Sequence, residues 1–113
     1  MALLPRVKSQ VRVQAWLRRC QSLGLMAAVV RSGDPDAGAI IIKINRFGAG
    51  CLVFTPVTAA DGTPAWLNAL AGAPERDADA YIARQVKYDS DVWVIEIEDP
   101  KGQFVFDEPV VDG

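Results

Sequence analysis

The sequence predicts an α+β fold: a single domain over residues 1–113, with two helices and a largely antiparallel sheet of about five strands in the order α-β-β-β-(β)-α-β-β. Apolar residues recur at helical spacing in two segments and alternate at strand spacing near the end of the chain. The connections between the early strands are too short for crossovers, which favours antiparallel pairing. Half of the 113 residues are hydrophobic and 23% are charged, a composition typical of a globular domain.

The first helix is predicted over residues 13–23, where the spacing of three and four is set by Val13, Trp16, Leu17, Cys20 and Leu23. Ser9 is a candidate N-cap, and Gly24 is suited to ending the helix. Residues 7–13 also alternate, so a short strand that leads into the helix is the alternative.

Residues 25–31 and 39–46 are rich in valine and isoleucine and flank a turn-forming loop, so we expect a hairpin. Pairing Arg31 with Ala39 sets Ala28 against Ile42 on an apolar face. The other face then carries Val29, Ile41 and Lys43 and is only partly apolar. A third strand is expected over residues 51–56.

Residues 57–76 lack a period and are interpreted as a surface loop anchored by Trp66, with either a short edge strand or a helical turn at residues 65–70. A second helix over residues 77–88 turns Ala78, Tyr81, Ile82, Gln85 and Val86 toward the core.

The last unit is predicted as a hairpin. Residues 92–98 alternate, and the turn at residues 99–102 sets Ile97 against Phe104 and Ile95 against Phe106.

Charge is divided unevenly along the chain. Residues 1–33 carry six basic residues and no acid, a charge of +6, whereas residues 34–113 carry six bases and 14 acids, a charge of −8. We favour an internal explanation, in which the basic first element docks beside the acidic remainder. The alternative is a basic face for an anionic partner. A pI near 5.0 disfavours general nucleic-acid binding.

Several chemistries are excluded by composition. Histidine is absent, which removes histidine-based triads and histidine-ligated zinc. Cys20 and Cys51 stand alone and are interpreted as buried thiols in a reducing compartment. No apolar run is long enough to span a membrane. The first six residues are too short an apolar stretch for a secretory signal, although an organelle transit peptide is an alternative, and we favour a mature cytoplasmic start.

The strongest catalytic candidates are acidic. Glu96 and Glu98 share one side of a strand and Asp99 follows, a set that suggests a site for Mg²⁺ or Mn²⁺. Alternating glutamates are more commonly the solvated face of a strand, and pairing with Lys43 or Arg31 also explains them. We therefore assign no catalytic residue, metal or cofactor. A metal-dependent enzyme acting on a phosphate-bearing substrate, with Arg31 or Lys43 steering the anion, is the alternative.

The favoured function is a non-catalytic interaction or regulatory module that binds a protein or a second copy of itself rather than a small molecule. Val29 and Ile41 are the expected exposed contacts. The expected partner surface comprises Arg31, Lys43, Arg84, Asp89, Asp91 and Trp93. The helix and strand order also occurs in double-stranded-RNA-binding domains, but Asp77 and Asp79 on the second helix suit RNA poorly, and no membrane partner is expected.

Four segments in order resemble a small bacterial family, domain of unknown function 1491: residues 13–19 (VQAWLRR), 31–38 (RSGDPDAG), 79–85 (DAYIARQ) and 93–99 (WVIEIED). Arg12 departs from the resemblance, which leads us to expect a bulky apolar residue there. The resemblance implies single-domain bacterial proteins of about this length with no assigned activity. It supplies no mechanism.

Overall fold

The computed structural model describes residues 7–112, so the expectation for residues 1–6 lies outside the described residues. The chain follows an α-β-β-β-β-α-β-β order, with a short 3-10 turn at Phe47–Ala49. The elements are α1 (Ser9–Ser22), β1 (Met26–Arg31), β2 (Ile40–Asn45), β3 (Cys51–Thr58), β4 (Pro64–Ala73), α2 (Glu75–Tyr88), β5 (Trp93–Glu98) and β6 (Val110–Asp112). Neither helix in this range is long and apolar enough to cross a membrane.

The strands form one mixed sheet of six strands in the order β1-β5-β2-β3-β4-β6. The α+β class with two helices is confirmed, but the prediction of a largely antiparallel sheet of about five strands is wrong. β5 lies parallel to β2, and β6 lies parallel to β4. Parallel neighbours need a long connection, and between β2 and β5 it consists of β3, β4 and α2.

The predicted hairpin between the first two strands is wrong because β5 lies between them. Ala28 pairs with Glu96 and Ile42 pairs with Ile95, so Ala28 and Ile42 lie on opposite faces. The loop between β1 and β2 crosses the start of β5. Its Asp34 N–H donates to the Asp91 carbonyl at 2.9 Å, and its Asp34 carbonyl accepts from the Trp93 indole at 2.7 Å. This loop therefore bridges one strand rather than forming a tight turn.

α1 covers one face of the sheet, which we call the α1 face. The helix begins at Ser9, four residues before its predicted start, which removes the alternative of a strand at residues 7–13. Ser9 is buried inside the first turn and is not the N-cap, because its hydroxyl donates to the Gly38 carbonyl at 2.6 Å. Val13 and Cys20 enter a core with Ile40, Ile42, Ile44, Ile95 and Ile97.

The end of the chain completes the core of the α1 face without forming the predicted hairpin. Phe104 and Phe106 do not pair with β5, whose neighbours are β1 and β2. Their rings instead pack at right angles, 5.1 Å apart, and Phe106 stacks on Trp66 at 4.8 Å. Aromatic packing of this kind, rather than strand pairing, explains their alternation.

α2 covers part of the opposite face, which we call the α2 face. Ala78 and Ile82 are buried there against Ile41, Val53 and Val94. The helix has the predicted inward side, with Tyr81 and Val86 partly buried at its border. It begins two residues before its predicted start.

The prediction of a surface loop over residues 57–76 is wrong. β3 continues to Thr58, and β4 is the longest strand described, with ten residues. The anchor role of Trp66 is confirmed, since its ring is almost completely buried. Alanine, glycine and proline give this segment little β-propensity, so its pairing with β3 and β6 decides its structure.

We expect Gly33→Ala to lower the free energy of unfolding by about 2–3 kcal/mol, because a methyl group there collides with the Asp91 carbonyl. The measurement is urea unfolding. Gly48→Ala is the matched control, since a methyl group at Gly48 meets nothing within 4 Å and is expected to change stability by less than about 1 kcal/mol. Equal effects of the two substitutions would contradict the tight approach of loop and strand.

Candidate functional site

The residues predicted to form a partner surface do not lie together. Four of them meet where the loop after β1 contacts the turn before β5, namely Arg31, Asp89, Asp91 and Trp93. Lys43 lies under α2, and Arg84 lies on the exposed side of that helix. The prediction of one continuous surface is therefore not supported.

The contacts at this loop junction are structural. One Arg31 Nη donates to the Ser90 carbonyl at 2.8 Å, and the Asp91 N–H donates to an Asp89 carboxylate oxygen at 3.0 Å. Trp93 is buried, with its indole held by the loop. These bonds hold the α2–β5 turn against the loop that crosses β5.

Among the described residues, Arg84 does not form an ion pair at the end of its helix. Its guanidinium lies 5.9 Å from the Tyr81 ring, and no ion pair between Arg84 and Asp89 occurs within residues 7–112. The contact with Tyr81 is a cation–π pair at an exposed position.

The three acidic candidates lie on two different faces of the sheet. Glu96 and Glu98 are on the α2 face, whereas Asp99 is fully buried on the α1 side. The two Asp99 carboxylate oxygens accept from the Gln103 and Phe104 N–H groups, each at 2.8 Å. Asp99 thus fixes the following turn. Within residues 7–112, no group of three or more acidic or cysteine side chains is placed to hold a metal ion.

Lys43 carries the most concentrated charge interactions in the described chain. Its side chain is 4% exposed, and its Nζ lies 2.8 Å from Glu75 Oε2, 2.7 Å from Asp79 Oδ1 and 3.1 Å from Glu96 Oε1. Asn45 also donates to Glu75, at 3.3 Å. Of the alternatives open for the two glutamates, pairing with Lys43 therefore applies to Glu96. We call Lys43, Glu75, Asp79 and Glu96 the Lys43 cluster.

Two opposing effects set the pKa of Lys43. Burial lowers the pKa because it disfavours the charged ammonium, but hydrogen bonds to Asp79, Glu75 and Glu96 outweigh burial and raise the pKa above its ordinary value of 10.5. Lys43 is therefore a permanently charged ammonium at neutral pH. It is neither an amine nucleophile nor a group that steers an anion.

An exposed apolar surface lies on β1, beside the Lys43 cluster. Met26 is 70% exposed and Val30 is 61% exposed, and the two lie on the α2 face with Ala28. Met26 pairs with Glu98 and Ala28 pairs with Glu96, so two glutamates border the apolar row. Together with Ala27, these five residues line a shallow groove of about 230 Å³, which we call the β1 groove.

The apolar contacts expected on the uncovered face were assigned to the wrong residues. Val29 packs against the core of the α1 face, and Ile41 is buried under α2. The error follows from the predicted pairing of β1 with β2. Alternation from the true partner, β5, would have placed Met26, Ala28 and Val30 outward.

A larger cleft of about 560 Å³ lies between the start of α1, residues 36–39 and the β3–β4 hairpin. Arg12 and Trp66 line it. Four segments distant in the sequence form this cleft, with Glu108 as the fourth, so local patterns did not reveal it. The only signal was the departure of Arg12 from the expected apolar residue.

We expect Lys43→Met to lower the free energy of unfolding by about 2–3 kcal/mol, because three carboxylates lose their shared cation. Urea unfolding measures the loss. Glu75 and Asp79 are more than half exposed, which keeps the loss below that of a fully buried pair. Lys101→Met, at an exposed turn, is the matched control and is expected to change stability little.

The stability difference between wild type and Lys43→Met is expected to depend on pH. A raised pKa in the folded state means that the stabilisation by Lys43 is fully present below pH 10.5 and declines above it. The stability difference between wild type and Lys43→Met is therefore expected to shrink above pH 10.5. A stability difference that stays constant as the pH rises above 10.5 would contradict the role of the charged Lys43 in holding the three carboxylates.

Comparison with solved structures finds the same fold in bacterial proteins. A crystal structure of a DUF1491 family protein from Caulobacter crescentus CB15 is 36% identical, with a TM-score of 0.85, and the match covers 94% of this chain and all of that one. An NMR structure of a DUF1491 family protein from the same organism is 36% identical, with a TM-score of 0.81 over 93% of this chain and 96% of that one. A solution structure of a protein from A. tumefaciens is 29% identical, with a TM-score of 0.73 over 83% of this chain and 86% of that one.

A search of curated proteins finds no match. The family model described as "Protein of unknown function (DUF1491)" matches residues 7–107, which agrees with the resemblance found in four segments of the sequence. The chain therefore belongs to the DUF1491 family, whose function is unknown.

Proposed function

We propose that this protein is an interaction module that binds an extended, positively charged segment of a partner protein in the β1 groove. The observation that carries the proposal is the uncovered apolar row of Met26, Ala28 and Val30 beside Glu96 and Glu98. Exposed apolar surface rimmed by polar residues is typical of protein-binding sites.

The position of β1 in the sheet supports binding of an extended segment. Among residues 7–112, β1 pairs only with β5, so its outer edge presents unpaired backbone groups. A partner strand can add to such an edge and place alternate side chains over the groove. The register is irregular between Val29 and Arg31, and a bulge of this kind opposes indiscriminate edge pairing. We therefore expect selective addition of a short segment along the first half of β1.

Charge defines the chemistry of the partner. Glu96 is partly neutralised by Lys43, whereas within the described range no cation pairs with Glu98. A lysine or arginine on the partner would supply the missing cation, and apolar side chains at alternate positions would cover Met26 and Ala28. Face-to-face packing of two copies would instead bring the Glu98 carboxylates together. The groove therefore favours a different, cationic partner over a second copy.

We also infer a cytoplasmic location. Cys20 and Cys51 are buried free thiols in cores on opposite faces of the sheet, and burial raises the pKa of each thiol. Unpaired, unreactive cysteines of this kind are typical of proteins in a reducing compartment.

The direct test is an NMR titration of the whole chain with a short peptide that alternates valine and lysine. We expect amide shifts along β1 and β5, and little effect from the matching valine–glutamate peptide, because Glu98 attracts one and repels the other. Glu98→Lys is expected to weaken binding of the valine–lysine peptide about tenfold and to strengthen binding of the valine–glutamate peptide. The matched control is Asp112→Lys, which makes the same charge change on β6, the opposite edge strand. It is expected to leave the affinity for both peptides unchanged.

Three results would overturn the proposal. In the first, the two peptides shift the β1 amide signals equally. In the second, Asp112→Lys weakens peptide binding as much as Glu98→Lys does. In the third, the valine–lysine peptide leaves the β1 amide signals unchanged. Light scattering adds a separate check, since a stable dimer that buries β1 would assign the groove to self-association instead.

A further inference from the structure

The cleft at the start of α1 is a second concave surface, on the opposite face of the sheet from the β1 groove. Its volume of about 560 Å³ lies within the range of small-molecule sites. Its lining includes the buried residues Ala65 and Trp66, together with Val57 and Pro64. The cleft therefore combines apolar walls with room for a small organic molecule.

Arg12 is the cation that this cleft leaves uncommitted. Its guanidinium lies 5.1 Å from the Trp16 ring, and no carboxylate within residues 7–112 forms an ion pair with it. The neighbouring Lys8, by contrast, pairs with Asp36 at 3.6 Å. A guanidinium positioned over an aromatic ring with free N–H groups is suited to bind an oxyanion.

The first N–H groups of α1 and the Trp66 indole, all at or near the cleft, are already bonded. The Ser9 and Gln10 N–H groups donate to the Asp36 and Pro35 carbonyls at 3.2 and 3.0 Å, so these first N–H groups of α1 are not free for an anion. The Trp66 indole donates to Glu108 at 2.9 Å. Among the described residues that line the cleft, Arg12 is therefore the charged donor left for an anion.

The acidic residues of the cleft limit the charge of its ligand. Asp36 and Glu108 both line it, so a second negative charge on the ligand would meet one of these carboxylates. We propose that the cleft binds a small monocarboxylate, with its carboxylate paired to Arg12 and its apolar body against Pro64 and Trp66. This proposal is independent of peptide binding in the β1 groove.

The test is an NMR titration of the whole chain with benzoate, benzamide and acetate. Benzoate carries both charge and apolar body, whereas benzamide lacks the charge and acetate lacks the ring. We expect benzoate to shift the Trp66 indole signal and the amides of Ala37, Gly38 and Val57, with a dissociation constant on the order of 10 mM. Benzamide and acetate are expected to bind about tenfold more weakly.

Substitution assigns the charge to one residue. Arg12→Gln is expected to weaken benzoate binding about tenfold, because one charge-assisted contact is lost. Arg18→Gln removes the same charge from the exposed side of α1 and is expected to leave binding unchanged. The proposal is overturned if benzamide binds as well as benzoate, if Arg18→Gln has the effect of Arg12→Gln, or if no cleft signal shifts at about 50 mM benzoate.

Discussion

A single buried ammonium sets the arrangement of the α2 face. Lys43 is central in the sheet and almost completely buried, and an isolated charge there would be costly. Glu96 on the neighbouring strand provides one counter-charge, and Glu75 and Asp79 on the first turns of α2 provide two more. The helix must therefore begin above β2. From there it packs its apolar side on Ile41, Val53 and Val94, which leaves β1 uncovered.

The insertion of β5 between β1 and β2 determines the chemistry of the surface around β1. It places Glu96 and Glu98 directly beside Ala28 and Met26, so the open apolar row carries an acidic border. It also makes β1 an edge strand. The cleft beside Arg12 lies on the other face, formed by α1 and the β3–β4 hairpin. The fold thus separates a surface suited to a cationic segment from one suited to a small anion.

Local sequence patterns predict the features that depend only on residues close together in the chain. The inward side of α2, with Ala78 and Ile82, follows from helical spacing, and the pairing of Glu96 with Lys43 was anticipated from charge. Alternation does not specify which strands are adjacent, so β5 was paired with residues 103–106 instead of β1 and β2. β4 is represented only by the alternative of a short edge strand at residues 65–70, because its alanines and glycine carry little strand signal. The β1 groove and the cleft depend on adjacency and on distant segments, which no local pattern contains.

The most direct measurement is amide hydrogen exchange of Lys43→Met compared with the wild type, followed residue by residue. If the Lys43 cluster holds α2 in place, the α2 amides lose protection while those of β2 and β5 keep theirs relative to global unfolding. Loss confined to α2 would show that the buried ammonium determines where the helix lies and which strand stays open. Unchanged protection of α2 relative to β2 and β5 would contradict the account, because apolar packing alone would then suffice to position the helix.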